Sequence, residues 1–289
     1  MRPRRPDAPA APSAATPPGA VSLAAALPGF EASVDRGPAL DSRRAPPSVS
    51  PPLSLGVSFS PHARAVVSRP GGSAREVAIG PRSIGLTSDS PLWWHRVAEP
   101  WESVEICPDP ALAAAVAREL GSPGAAALDE LRAPMDPVFW AAAVRVRAHL
   151  LGRAPLADLE ADALVRGLLA HAMFEYLGVP APRVNARPLD AARLSRLVEW
   201  IDAHLAERLT NEALAGVVAM SPYHFIRRFR AATGLTPHAF VAAWRAERAE
   251  ALAREEPGLS RAAVARRVGY AGNGHRYREV LSRWGSARP

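Results

Sequence analysis

Apolar positions follow two different periods along this chain. From Leu53 to Ile106 they come in short alternating runs, LSLGVSF, AREVAIG and SVEIC, each bounded by Gly, Pro or Ser, which is the pattern of short strands. Beyond them the spacing lengthens to three and four residues. DPALAAAVARELG offers Asp109 or Pro110 as a helix start and Gly121 as its stop, and DPVFWAAAVRVRAHLLG repeats that grammar from Asp136 to Gly152. LADLEADALVRGLLAHAMFEYLG predicts a third helix ending at Gly178, apolar enough for a dimer face or for a core helix.

VPAPRVNARP, with three prolines and little apolar content, reads as a linker and puts a domain boundary near Arg187. After it, Leu194, Leu197, Val198, Ile201 and Leu205 form one buried stripe on a helix. Thr210 can cap the next helix, with Glu212 in its first turn favouring the dipole and Leu214, Ala215 and Val218 inside. Ser221 then caps another, and Pro222 suits its first position, where no N–H is required. Phe225 and Phe229, four apart, point to one face, so Tyr223, Ile226, Arg227 and Arg230 fall on opposite or flanking faces. This is a helix-turn-helix, whose second helix can enter a major groove, or a bundle pair whose arginines are only solvated.

GLTPHAFVAAWRAERAEALAREEPGLSRAAVARRVGY shifts that balance, because the region resembles the DNA-binding part of the AraC/XylS family of transcription regulators. The matching residues include Leu214-Ala215, Met220-Ser221-Pro222, Phe225, Arg227, Phe229, Gly234-Leu235-Thr236-Pro237, Arg245, Arg248-Ala249, Ser260, Val264-Ala265 and Val268-Gly269-Tyr270. The resemblance covers Leu194 to Trp284 and implies two helix-turn-helix units joined by a long connecting helix. It places base-edge contacts on Tyr223, Ile226 and Arg227, with Ser221 and Arg230 on the phosphate side. Ile226 stands where a polar residue is common, which reduces direct reading there to an apolar contact with a thymine methyl. In the second unit the pattern departs: Gly272 and Gly274 sit in the turn, Tyr277 and Leu281 match only with a slipped register, and the terminal Ser-Pro is missing. Asn273, Arg276 and Arg278 then either reach DNA or belong to a scaffold that touches only phosphates. The resemblance further implies an N-terminal cupin-like β unit for effector binding or dimerisation, followed by helices. The strand region looks short for a full barrel.

The expected fold is therefore mainly α. Residues 1–52 read as a disordered Pro/Ala-rich tail or as translated sequence upstream of the true start, 53–186 as an α+β sensing or dimerisation domain, and 187–289 as an all-α double helix-turn-helix. Charge supports the last assignment. The chain carries +7, and from Asp190 to Pro289 there are 16 Arg against 10 Asp plus Glu, so the basic excess is concentrated where DNA binding is expected. Every basic residue is Arg. A single cysteine, Cys107, rules out an intrachain disulfide and a cysteine zinc cluster, which fits a cytoplasmic protein. The N-terminus makes no persuasive signal peptide, and no stretch approaches a membrane span.

Candidate chemistry elsewhere is thin. Trp93, Trp94, His95 and Trp101 form an aromatic knot that either lines a pocket or packs at a strand–helix junction. His95 near Glu99 and Glu102 is too sparse for a metal site, and His224 and His238 read as surface or packing residues. No Gly-rich phosphate loop, Gly-x-Ser-x-Gly elbow or Cys/His pairing is present, so neither enzyme activity nor a cofactor is expected. The expected partner is double-stranded DNA. RNA polymerase, a small-molecule effector and a second copy of the chain are further candidates, and an interaction module acting through RNA polymerase or another regulator is the alternative function.

Overall fold

A computed structural model of the chain describes residues 19–43, 47–60, 62–87, 90–122, 131–180 and 189–285. The first ten elements are strands: β1 Val21–Leu27, β2 Phe30–Gly37, β3 Leu40–Asp41, β4 Ser48–Ser50, β5 Leu55–Ser58, β6 His62–Ser68, β7 Arg75–Ile79, β8 Ser83–Leu86, β9 Leu92–Val97 and β10 Trp101–Pro108. Helix α1 (Pro110–Glu119), strand β11 (Leu131–Met135) and helices α2 (Pro137–Leu150) and α3 (Asp158–Tyr176) complete the N-terminal part. Asp109 and Asp136 cap α1 and α2 as their sequence suggests, each accepting a backbone N–H two residues on.

The strands make two antiparallel sheets, one ordered β1-β2-β10-β5-β8-β11, the other β3-β9-β6-β7 with β4 also on β9. In the larger sheet Val34, Val104 and Val57 lie in one cross-strand row and Ala32, Ile106 and Leu55 in the next. That face is buried under α2 and α3, whose Phe139, Trp140, Leu168 and Met173 share its core. Period-two alternation sends the intervening residues, Glu31, Ser33, Asp35, Ser103 and Glu105, towards the second sheet. Helix α3 is thus a core helix, buried along Ala161, Leu164, Val165, Leu168 and Met173, although Leu159 stands fully out in solvent.

Two expectations need correction. Residues 21–43 and 47–50 are not a disordered tail, because they carry β1 to β4, while 1–18 and 44–46 lie outside the described residues. Their Pro- and Ala-rich composition hides β2, whose Phe30, Ala32 and Val34 alternate cleanly into the core. The description mainly α holds for the C-terminal part only: the N-terminal part is built on sheets of six and five strands, larger than the short unit expected. The linker and the boundary near Arg187 fall on 181–188, also outside the described residues.

Beyond Asp190 the chain is helical: α4 Ala191–Ala203, α5 Asn211–Val217, α6 Pro222–Thr233, α7 Pro237–Glu255, α8 Arg261–Arg267 and α9 Gly274–Trp284. The hydrophobic core is continuous from the larger sheet through α2 into these helices. Trp140 of α2 stacks edge-on against Phe240 and Trp244 of α7 at 4.8 and 4.6 Å, and Phe240 in turn meets Phe229 of α6 at 5.2 Å.

Candidate nucleic-acid interface and ligand cavity

The turn between α5 and α6 is closed by Ala219 N–H on the Gly216 carbonyl and Met220 N–H on the Ala215 carbonyl. The turn after α8 repeats those bonds fifty residues on, with Gly269 N–H on Arg266 and Tyr270 N–H on Ala265. Ala219 and Gly269 both have positive φ, 53° and 83°. The chain therefore carries two copies of one helix-turn-helix geometry. They differ in the entry to the next helix: Ser221 caps α6 directly after Met220, whereas Ala271 and Gly272 are inserted before Asn273 caps α9. Relative to the first unit, the second reading helix therefore starts two residues later.

On α6, Phe225 and Phe229 are fully buried and fix the rotation of the helix. Tyr223 is 66% exposed, and Arg227, one turn on, is exposed with its guanidinium 5.7 Å from the Tyr223 ring centroid. Arg230 is exposed on the same helix, and Ile226 is half-buried against the core. The Ser221 hydroxyl bonds to His224 Nδ1 at 2.9 Å and makes no bond to the backbone of its own helix.

Counting from the caps, Tyr223, Ile226 and Arg227 of α6 correspond to His275, Arg278 and Glu279 of α9. All three are exposed, while Tyr277, Val280 and Trp284 face inward. The second helix thus presents a carboxylate where the first presents Arg227. His275, absent from the sequence-based set, becomes visible only once the inserted residues are counted. Asn273 uses its side-chain oxygen to cap Arg276 N–H at 3.0 Å, and the Arg276 guanidinium donates to His238 Nε2. Burial and the neighbouring Arg276 hold the His238 ring below its usual pKa, which keeps it a neutral acceptor.

Arg245 of α7 joins the two units. It donates to the carbonyls of Leu205 at 3.1 Å, Glu207 at 2.6 Å and Gly269 at 3.4 Å, and lies 5.2 Å from the Tyr270 ring centroid. One face of α7 is bolted to the N-terminal part by buried charge. Glu247, 6% exposed, accepts from Trp140 Nε1 at 2.5 Å and from Arg82 Nε at 2.8 Å, and Arg82 lies 3.9 Å over the Trp244 ring. Arg147 of α2, 3% exposed, pairs with Glu102 at 2.5 Å and Glu250 at 3.6 Å, and donates to the Trp284 carbonyl of α9 at 3.0 Å.

Between the two sheets lies a cavity of about 530 Å³. Of the aromatic knot, Trp94 and Trp101 line it. His95 instead bonds to Ser68 at 2.8 Å and Ser42 at 3.4 Å, and Glu102 is taken by Arg147. Among the described residues, no group of three or more His, Cys, Asp or Glu could hold a metal ion, and no helix is long and apolar enough to cross a membrane.

A family model described as a helix-turn-helix domain matches residues 214–286. Over 49 residues the chain is 57% identical to the bifunctional transcriptional activator/DNA repair enzyme Ada of Escherichia coli (strain K12). Over 50 residues it is 54% identical to the regulatory protein ada of Salmonella typhimurium. Each match spans 17% of this chain and only 14% of the relative. Among solved structures, the AraC-like transcriptional activator CuxR is 16% identical, with 73% of this chain and 74% of that chain covered at a TM-score of 0.35.

Proposed function

We propose that the chain, whose residues 214–286 belong to a helix-turn-helix domain, is a sequence-specific, DNA-binding transcription regulator of the AraC type. The observation that carries this reading is the division of α6. Two phenylalanines lock its rotation from beneath while Tyr223 and Arg227 stand free on the solvent side. A large aromatic exposed beside an unburied guanidinium takes no part in the core, and it suits a major groove, where Arg makes bidentate bonds to guanine. Tyr223 and Arg227 are the base-reading pair, Ser221 and Arg230 face phosphates, and Ile226 contributes little because it is half turned into the core.

The second helix binds with less sequence information. Glu279 at the position of Arg227 repels phosphate, so Arg276 and Arg278 serve mainly as backbone contacts, Asn273 mainly as a cap, and His275 is the remaining candidate reader. The cavity between the sheets takes a small-molecule effector. Its volume falls within the range of about 300–1,000 Å³ usual for such sites. Occupancy is felt at the DNA-binding part through the shared core and the Glu247 and Arg147 contacts.

Arg227→Ala tests the reading head. On a selected DNA site it is expected to weaken binding by about 1–3 kcal/mol and to relax preference at one base pair, whereas Ile226→Ala changes the preference little. Unchanged affinity for the Arg227 variant would favour the alternative, an interaction module that acts through RNA polymerase or another regulator.

A further inference from the structure

The cavity has two chemically different walls. On the larger sheet, the alternation that buries Val34, Val104 and Ile106 turns Glu31, Asp35 and Glu105 inward towards it. Glu105 stands in register with Ser33 on one neighbouring strand and with Gly56 on the other, and Gly56 faces Gly85 across the next ladder. Neither glycine has a positive φ, and a Cβ placed on Gly85 meets nothing within 4 Å. Two bare positions therefore leave open space on the floor beside the Glu105 carboxylate. The opposite wall carries Leu40, Ile79, Val97 and the Trp94 ring, with Ser48 and Ser50 of β4 beside them.

The carboxylates of this floor are answered by hydroxyls, Ser50 donating to Glu105 and Ser33 to Asp35. No Arg or His is among the described residues lining the cavity, and the chain has no Lys. Glu105 accepts from the Ser50 hydroxyl at 2.5 Å, and that hydroxyl accepts from Trp94 Nε1 at 2.9 Å. One neutral donor does not offset an enclosed carboxylate with Asp35 nearby. Burial, opposed by the Ser50 bond and reinforced by Asp35, pushes the Glu105 carboxyl up to about 7. A polyol would satisfy the hydroxyls but supply no opposite charge. A cation supplies it.

We propose that the cavity binds a small organic cation, its ammonium group beside Glu105 and Asp35 over the glycine floor and its apolar or aromatic body against Leu40, Ile79, Val97 and Trp94. This deepens the effector reading and rests on it. The Trp94 face adds cation–π or stacking contact, and the Ser50 bridge fixes the carboxylate for it.

The test is calorimetric titration of the full chain with three probes that share one ring and differ in head group: tryptamine, tryptophol and indole-3-propionate. Tryptamine is expected to bind at least tenfold more tightly than tryptophol, with no detectable binding of the propionate. Glu105→Gln should lower tryptamine affinity at least tenfold while circular dichroism stays unchanged. Gly85→Val, which projects a side chain into the open floor, should abolish binding. Equal or tighter binding of the alcohol or the carboxylate, lost in Gly85→Val, would overturn the cation and leave the cavity as a small-molecule site. No binding of any probe would overturn both the cation and the effector reading, with DNA binding by α6 tested independently.

Discussion

Glu247 concentrates the contact between the DNA-binding part and the rest of the chain, and its removal makes the most demanding prediction for stability. Glu247→Ala orphans the Trp140 indole N–H, which is fully buried, at a cost of about 1–3 kcal/mol. It also strips Arg82 of its 2.8 Å partner. Breaking a buried ion pair costs about 3–5 kcal/mol when the remaining charge has nowhere to go. Arg82 keeps Asp202 at 3.8 Å and the Trp244 ring beneath it, and its side chain retains 14% exposure, so the lower end applies. Together the expected loss is about 4–6 kcal/mol, a large share of the 5–15 kcal/mol typical of a folded protein. Urea unfolding followed by tryptophan fluorescence measures it, with Arg82→Met and the double variant completing a cycle. The coupling energy should exceed about 1.5 kcal/mol. A loss below about 1 kcal/mol for Glu247→Ala, or single effects that add to within about 0.5 kcal/mol, would refute the claim that this pair joins the two parts.

Other consequences are local. Gly269→Ala should destabilise by about 2–3 kcal/mol in the same assay, because its φ is 83° and the new Cβ meets the Leu205 carbonyl at 2.6 Å. Ala219→Gly, at the equivalent turn position with φ 53°, should instead stabilise by about 0.5–1 kcal/mol. The Glu105 carboxyl is raised from an ordinary 4.5 to about 7, so the folded state holds its proton longer than the unfolded state. Its contribution to stability is present below pH 4.5, falls as pH rises, and is lost above about 7, a change of about 3 kcal/mol. Asp35, Glu31 and Cys107 share its surroundings. The difference between wild type and Glu105→Gln, measured from about pH 5 to 8, isolates it and should grow in favour of the variant with pH.

What could be read from the chain is what is local in it. Asp109, Asp136 and Thr210 announce helix starts because their side chains cap N–H groups two or three residues on, Ser221 does so only by its place before Pro222, and Phe225 with Phe229 defines a buried face within one turn. The first four strands were obscured for a different reason. Strand β1 is an edge strand with mostly exposed residues, and the inward side of β2 faces a cavity, so Glu31, Ser33 and Asp35 stand where a packed sandwich would show apolar residues. Strand β9 carries Trp93, Trp94 and His95 in succession and shows no alternation at all. Glu247 reads locally as one more charge on an Arg-rich helix. Its partner Arg82 lies 165 residues away, a pairing that no local pattern encodes. Likewise, the register of α9 depends on the inserted Ala271 and Gly272, which the first turn lacks.

The most direct measurement is selection of binding sites from a random double-stranded DNA library by the full chain, at two salt concentrations, for wild type and Arg227→Ala. Wild type is expected to yield a consensus that survives the higher salt, with sharp preference under α6 and weak preference under α9, and the variant to lose one sharply defined base pair. Retention that vanishes with salt and leaves no consensus would reduce the interaction to phosphate attraction and contradict base reading by α6.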